Sequence, residues 1–203
     1  MEIKNNYLKK NIYKSLNKDL SEEITIDELK KIKTIILNDV NEKLERIHYK
    51  IEDFECLKYI EKLIIKSLTL TDEIVLKINE MSNLKTLQLE HCKFETETKI
   101  ENQIENLIIT YPKKFNFKKC INTSSIKFLR LIEISDIDIN DLINYNIEEL
   151  YIYNCNIINS QLLLNLDSLR ILKLDGSKFN MQILEELINK KITLQYKENY
   201  YFN

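Results

Sequence analysis

Two histidines, four cysteines and one basic, aromatic run are the places from which chemistry would have to come in this chain of 203 residues. His91 and Cys92 have the composition of a base beside a thiol, but neighbours in a strand point to opposite faces, so neither can serve the other. Cys92 also falls at a core-facing position of the repeat frame described below, and packing is its expected role. His48, in ERIHYKIED, has acids around it that would raise its pKa, yet it lies in an irregular stretch and reads as a surface or packing residue. Cys56, Cys92, Cys120 and Cys155 are 36, 28 and 35 residues apart with no CxxC pair, so reduced, buried thiols are expected rather than a disulfide framework or a zinc site. Carboxylates abound in DIDINDL and LEELINK, but they sit where helices begin or face water, and no pair is singled out for acid–base work. One glycine excludes a Walker loop, a GxGxxG turn and a GxSxG elbow, and the two histidines do not form HExxH. No catalytic residue, metal ligand or cofactor is expected.

The run YPKKFNFKKC, residues 111–120, has the interleaved lysines and aromatics of a single-stranded nucleic-acid site. Against that, Phe115 falls near the repeat position of Phe94, Ile157 and Phe179 once one inserted residue is allowed, and Phe117 packs beside it. Core packing with solvated lysines is the preferred reading; a contact with an acidic patch on a partner is the simpler functional one. Thirty basic against thirty-two acidic residues give a net charge of −2, so nothing draws the chain generally to nucleic acid or anionic membrane. Residues 1–20 are lysine-rich without an apolar signal-peptide stretch, and no segment approaches the roughly 18 apolar residues of a membrane span. A cytoplasmic protein is expected.

These residues are positioned by an internal repeat. The pattern apolar-x-x-apolar-x-apolar recurs as Ile32/Ile35/Leu37, Ile60/Leu63/Ile65, Leu84/Leu87/Leu89, Ile104/Leu107/Ile109, Ile126/Leu129/Leu131, Ile147/Leu150/Ile152 and Leu169/Leu172/Leu174, with a weaker copy ending in Ile192/Leu194. Starts lie 28, 24, 20, 22, 21, 22 and 20 residues apart, and LKTLQLEHCKF, IEELYIYNCNI and LRILKLDGSKF share Cys or Ser at the ninth position and an apolar residue at the eleventh. This resembles the leucine-rich repeat over about residues 24–196. Independently, alternation in LKTLQL predicts a half-buried strand, while TDEIVLKINEMSN, INDLINYN, SQLLLNLDS and NMQILEELINK predict one to three helical turns each. A short strand, a bend and a short helix cannot fold alone; stacked, they bury a continuous core. The expected fold class is α/β, a right-handed leucine-rich repeat solenoid or horseshoe with a parallel concave sheet and short convex helices.

Leu8, Ile12, Leu16 and Leu20 predict an amphipathic helix over residues 5–18, followed by EITIDELKKIKTIIL, in which Asp27 is placed to cap a short helix. This helix, the I-T-x-x-x-L stretch and the first repeat resemble the N-terminal cap of bacterial internalin-like proteins. The expected organisation is a helical cap over 1–31 continuous with repeats and a terminal strand over 32–203. One departure is position nine, where such proteins carry asparagine; here it holds Val40, Leu68, Cys92, Pro112, Ile134, Cys155 and Ser177, so the bends must find other hydrogen bonds.

Function in such an architecture sits on the concave face, a rigid and extended surface. Its outward positions are mostly polar. The exception is a cluster over four strands: Ile108, Phe128, Arg130, Ile132, Tyr151, Tyr153 and Ile171, with Lys173, Glu149 and Asp175 at its rim. Tyrosine and arginine beside exposed apolar residues are the composition of an interface hot spot. An alternative register, Leu129/Ile132/Ile134, would bury Ile132 and turn Leu131 outward; Ile108, Tyr151, Tyr153 and Ile171 face outward in both. Strand-forming residues packing across an exposed sheet would give the same composition without binding. The expected function is a non-catalytic protein-binding module with an unidentified protein partner, using Ile108, Phe128, Arg130, Tyr151, Tyr153, Ile171 and Lys173, and no nucleic acid, membrane or cofactor. The alternatives are self-association through the terminal strand ITLQYKENYYFN, against an otherwise monomeric chain, and an enzyme whose cluster would have to be assembled across strands.

Overall fold

A computed structural model describes residues 3–39, 47, 49–176 and 181–197. Val40, His48, Ser177, Phe179 and the aromatic tail at 198–203 lie outside the described residues. Eight parallel strands form one sheet in chain order: Thr34–Asn38, Lys62–Lys66, Thr86–Glu90, Asn106–Thr110, Phe128–Ile132, Glu149–Tyr153, Ile171–Asp175 and Thr193–Lys197. Sequential order without closure makes the sheet an open solenoid, in which each repeat packs only on its neighbours.

Alternation makes these strands. Leu63 and Ile65, Leu87 and Leu89, Leu107 and Ile109, Leu129 and Leu131, and Leu150 and Ile152 are fully buried, while the residues between them are half-buried on the other face. Leu129 pairs with Leu107 and Leu150, and Leu131 with Ile109 and Ile152, so the alternative frame through Ile132 is not the one adopted. Ile134 is buried all the same, because Glu133 takes a left-handed φ of 54° and turns the chain inward after the strand. The weak last copy is corrected by two residues. Leu194 pairs with Leu172 and Tyr196 with Leu174, so the frame ends in Leu194/Tyr196 rather than Ile192/Leu194. A shift of two keeps the same face inward, and Ile192 is itself buried, so alternation fits both frames.

The six bends after the second to seventh strands share one device. Ser67, His91, Tyr111, Glu133, Asn154 and Gly176, each immediately after a strand, have φ of 61, 53, 49, 54, 49 and 65°. Their N–H groups donate to the last carbonyl of the following strand, at Glu90, Thr110, Ile132, Tyr153, Asp175 and Lys197, over 2.8–3.0 Å. This ladder of main-chain bonds replaces the missing asparagines. Buried cysteines at position nine add weak contacts: Cys92 Sγ lies 3.4 Å from the Ile65 carbonyl, Cys155 Sγ lies 3.1 Å from that of Tyr153, and the Ile134 N–H donates to Cys155 Sγ at 3.4 Å. A left-handed φ is costly for a side chain with Cβ and free for glycine. Ser67→Gly is therefore expected to raise stability by up to about 1 kcal/mol and Gly176→Ala to lower it by about 1 kcal/mol. Urea midpoints that move in those directions at constant slope check this.

The outer layer is short and uneven: α-helices at Asp72–Asn79, Phe117–Cys120 and Met181–Asn189, and 3-10 turns at Ile139–Leu142 and Ser160–Asn165. Asn102, buried and unforeseen from the sequence, donates to the carbonyls of Ile78 and Met81 at 2.7 and 2.8 Å, satisfying a helix end in the preceding repeat. At the N-terminus the helix spans Asn6–Leu16, ended by Asn17 in the left-handed region. Leu8 and Ile12 join the core, but Leu20 lies beyond the helix and is exposed. Thr25, not Asp27, caps the Ile26–Leu29 helix in a reciprocal box with Glu28, while Asp27 pairs with Lys30 at 2.8 Å. Lys18 and Thr25 hold the Glu28 carboxyl down at about 2. One continuous apolar cluster runs from Leu8 to Ile192.

Candidate functional site

The open face of the sheet carries three columns of outward residues set by the in-register pairing. The central column reads Ile36, Ile64, Gln88, Ile108, Arg130, Tyr151, Lys173 and Gln195. Arg130 therefore lies between Ile108 and Tyr151, and Tyr151 between Arg130 and Lys173. In the flanking columns Phe128, Glu149 and Ile171 are neighbours on one side, and Ile132, Tyr153 and Asp175 on the other.

The side chains converge beyond what register alone requires. Phe128 meets Tyr151 edge-on with ring centroids 4.9 Å apart, and Tyr151 meets Tyr153 at 6.5 Å. The Arg130 guanidinium lies over the Tyr153 ring at 5.1 Å, and the Lys173 ammonium over the Tyr151 ring at 4.6 Å. The Tyr151 hydroxyl donates to Glu149 Oε2 at 3.1 Å. Ile108 and Ile171 border this cluster through their register partners Arg130 and Glu149. All eight are half-buried, and at about 4.8 Å per strand their four strands give a patch about 15 Å wide. Rings in edge-to-face contact, with both tyrosines topped by a cation, form a surface with few rotamers left to lose on binding.

Two polar atoms in this region are buried without a hydrogen-bond partner among the described residues: Arg130 Nε and Asp175 Oδ1. The N-terminal half of the face is more nearly self-satisfied, with Lys66 and Glu90 paired at 2.6 Å and Asn106 Nδ2 donating to Thr86 Oγ1 at 3.4 Å.

The other candidates are placed elsewhere. His91 is exposed at a left-handed bend rather than in a strand, while Cys92 is buried, so the two still point apart. His91 instead stacks on Tyr111 of the next repeat, with centroids 4.8 Å apart and planes 6° from parallel. That stack was legible only by aligning the eighth position of consecutive repeats. Phe117 is buried against Tyr145, and Phe115 packs on Phe94 at 4.9 Å, reached through Lys114 with φ of 57° as the inserted residue. The lysines of that run face water, and Lys114 is 3.2 Å from Glu95. The run serves the core, as the repeat frame implies.

All four thiols are buried and none is in a disulfide among the described residues, and burial pushes Cys56 and Cys92 up to about 12 and Cys155 up to about 11. Burial raises Cys120 as well, and by disfavouring the thiolate it makes all four poor nucleophiles. Native protein at pH 8 is expected to resist alkylation at all four cysteines, with four adducts appearing only in denaturant, as intact mass would show. Among the described residues no group of three or more His, Cys, Asp and Glu side chains is placed to hold a metal ion. Nor is any helix long and apolar enough to cross a membrane. In a polar cleft on the helical side, lined by Lys118, Thr123, Asp141 and Tyr145, the Tyr145 hydroxyl donates to the Ile121 carbonyl at 3.1 Å and Thr123 bonds Ser125 at 2.8 Å.

Against solved structures, internalin C2 of Listeria monocytogenes superposes with a TM-score of 0.54 over 95% of this chain and 93% of its own, at 15% identity. The chain has the leucine-rich repeat fold. A second internalin of the same organism aligns over 96% of this chain and 77% of its own at 15% identity and a TM-score of 0.34. No protein-family model matches the sequence, and no curated protein matches it either. In leucine-rich repeat terms, the aromatic cluster occupies the concave face of the fourth to seventh strands, and the His91–Tyr111 stack sits on the rim where strands end.

Proposed function

We propose that this leucine-rich repeat chain is a non-catalytic protein-binding module that recognises its partner through the concave sheet face. The observation that carries the reading is the Phe128, Arg130, Tyr151, Tyr153 and Lys173 cluster, a preorganised aromatic and cationic patch on a sheet face whose other outward positions are mostly polar. Sheet packing alone accounts for the ring contacts, but it leaves Arg130 and Lys173 held over rings with no ion pair among the described residues, available to an anionic group of a partner. The mechanism is rigid-surface recognition: the rings and isoleucines desolvate against the partner, and Arg130, Glu149, Lys173 and Asp175 select it by charge. Likeness of fold to internalin C2 supports the rigid scaffold. A pull-down comparing wild type with Tyr151→Ala/Tyr153→Ala, both confirmed as folded by circular dichroism, tests the reading. A protein retained by wild type and lost by the variant supports it; identical retention refutes it.

One observation favours self-association as a second reading. Among the described residues Thr193–Lys197 has a strand on one side only, and Leu194 and Tyr196 are half-buried where Leu172 and Leu174 are enclosed. A sedimentation coefficient that rises with concentration would support this, and one that stays monomeric would dismiss it.

A further inference from the structure

We propose that the concave patch takes an acidic segment of its partner protein, seating an aspartate or glutamate side chain on Arg130 with a hydrogen-bond donor beside it at Asp175. This rests on the concave face being the recognition surface. Arg130 carries five N–H donors in a planar fork suited to a carboxylate, yet it has no ion pair among the described residues, and its Nε is buried with no acceptor. What holds it is the Tyr153 ring, which fixes the guanidinium plane and leaves its remaining donors to an incoming group. Asp175 Oδ1 is the complementary orphan, an acceptor buried with no donor. No ion pair or hydrogen bond joins the two, and the Tyr153 strand stands between theirs. Arg130, a cation without an ion pair among the described residues, and the Asp175 carboxylate stand on either side of one aromatic and suit a ligand with a carboxylate on one side and a hydrogen-bond donor on the other.

Charge agrees. The whole chain is at −2, but the outward strand positions carry five cations, Lys62, Lys66, Arg130, Lys173 and Lys197, against three anions, Glu90, Glu149 and Asp175. Lys66 and Glu90 neutralise each other, whereas Arg130 and Lys173 are held over rings rather than carboxylates. The face is thus locally cationic on an acidic molecule. Glu149 and Asp175 within the same patch oppose a dianionic phosphate more than a singly charged carboxylate, which favours an acidic peptide over a phosphorylated one or a nucleic acid.

The test is selection of a random linear peptide library, displayed on phage, against the full chain at physiological salt. Parallel selections use Arg130→Gln, Lys62→Gln and Tyr151→Ala/Tyr153→Ala. Peptides recovered on wild type are expected to carry Asp and Glu at about threefold or more over the input, falling to input level on Arg130→Gln and staying enriched on Lys62→Gln, which removes a distant charge from the same face. Peptides that depend on Tyr151 and Tyr153 but show no acidic excess would overturn the carboxylate assignment and leave the concave reading standing. An equal loss on Lys62→Gln would replace the Arg130 site by a general field, and elution by inorganic phosphate would replace the carboxylate by a phosphate. The same peptides on every variant, or none enriched on wild type, would overturn both this inference and the function it rests on.

Discussion

Leu131→Ala is expected to destabilise the chain by about 3 kcal/mol, and Ile132→Ala, one residue on, by less than about 1 kcal/mol. Leu131 is wholly enclosed between Ile109 and Ile152, and a solenoid repeat has no freedom to collapse into the space left by a lost isobutyl group. Ile132 is half-buried on the opposite face, beside Thr110 and Tyr153, and much of what it covers remains covered without it. Urea unfolding of the two variants measures the difference. Comparable losses, or a larger one at Ile132, would mean that the strand runs in the other frame and that Leu131 and Glu133 belong to the concave surface.

Tyr153→Ala is expected to weaken partner binding about 30-fold, equivalent to about 2 kcal/mol, with little change in stability. Tyr153 acts twice: its own ring contributes contact area, and it supports the Arg130 guanidinium, which without it would regain rotamers that binding must freeze again. Tyr153→Phe keeps the ring and the cation contact and is expected to stay within about threefold of wild type. Titration calorimetry or surface plasmon resonance with the captured partner checks both. Unchanged affinity in the alanine variant would reduce the cluster to cross-strand packing, and an equal loss in the phenylalanine variant would locate the effect in the hydroxyl.

Much of this was legible in the sequence, because burial in a repeat protein is written locally. Leu87 and Leu89, Leu107 and Ile109, and Leu150 and Ile152 each announce an inward face by alternation, and spacing of twenty-odd residues leaves little but a stacked solenoid to bury them all. The outward positions of Ile108, Tyr151, Tyr153 and Ile171 followed from the same rule. Helix starts were less secure. Asp27 and Thr25 are both good caps, and only the reciprocal bonds with Glu28 select Thr25.

What the sequence by itself determined is therefore the class of the fold and the inward and outward faces of the strands. What only the tertiary structure decided is register and everything that register joins. A pattern of period two is unchanged by a shift of two, so Leu194 rather than Ile192 pairing with Leu172 could be settled only by the neighbouring strand. A left-handed residue reverses which face comes next, so the burial of both Leu131 and Ile134 became compatible only once Glu133 was seen to turn the chain. The placement of Arg130 on Tyr153 and of Lys173 on Tyr151 joins residues more than twenty apart in the chain, and it exists because parallel strands bring them into adjacent columns of one face.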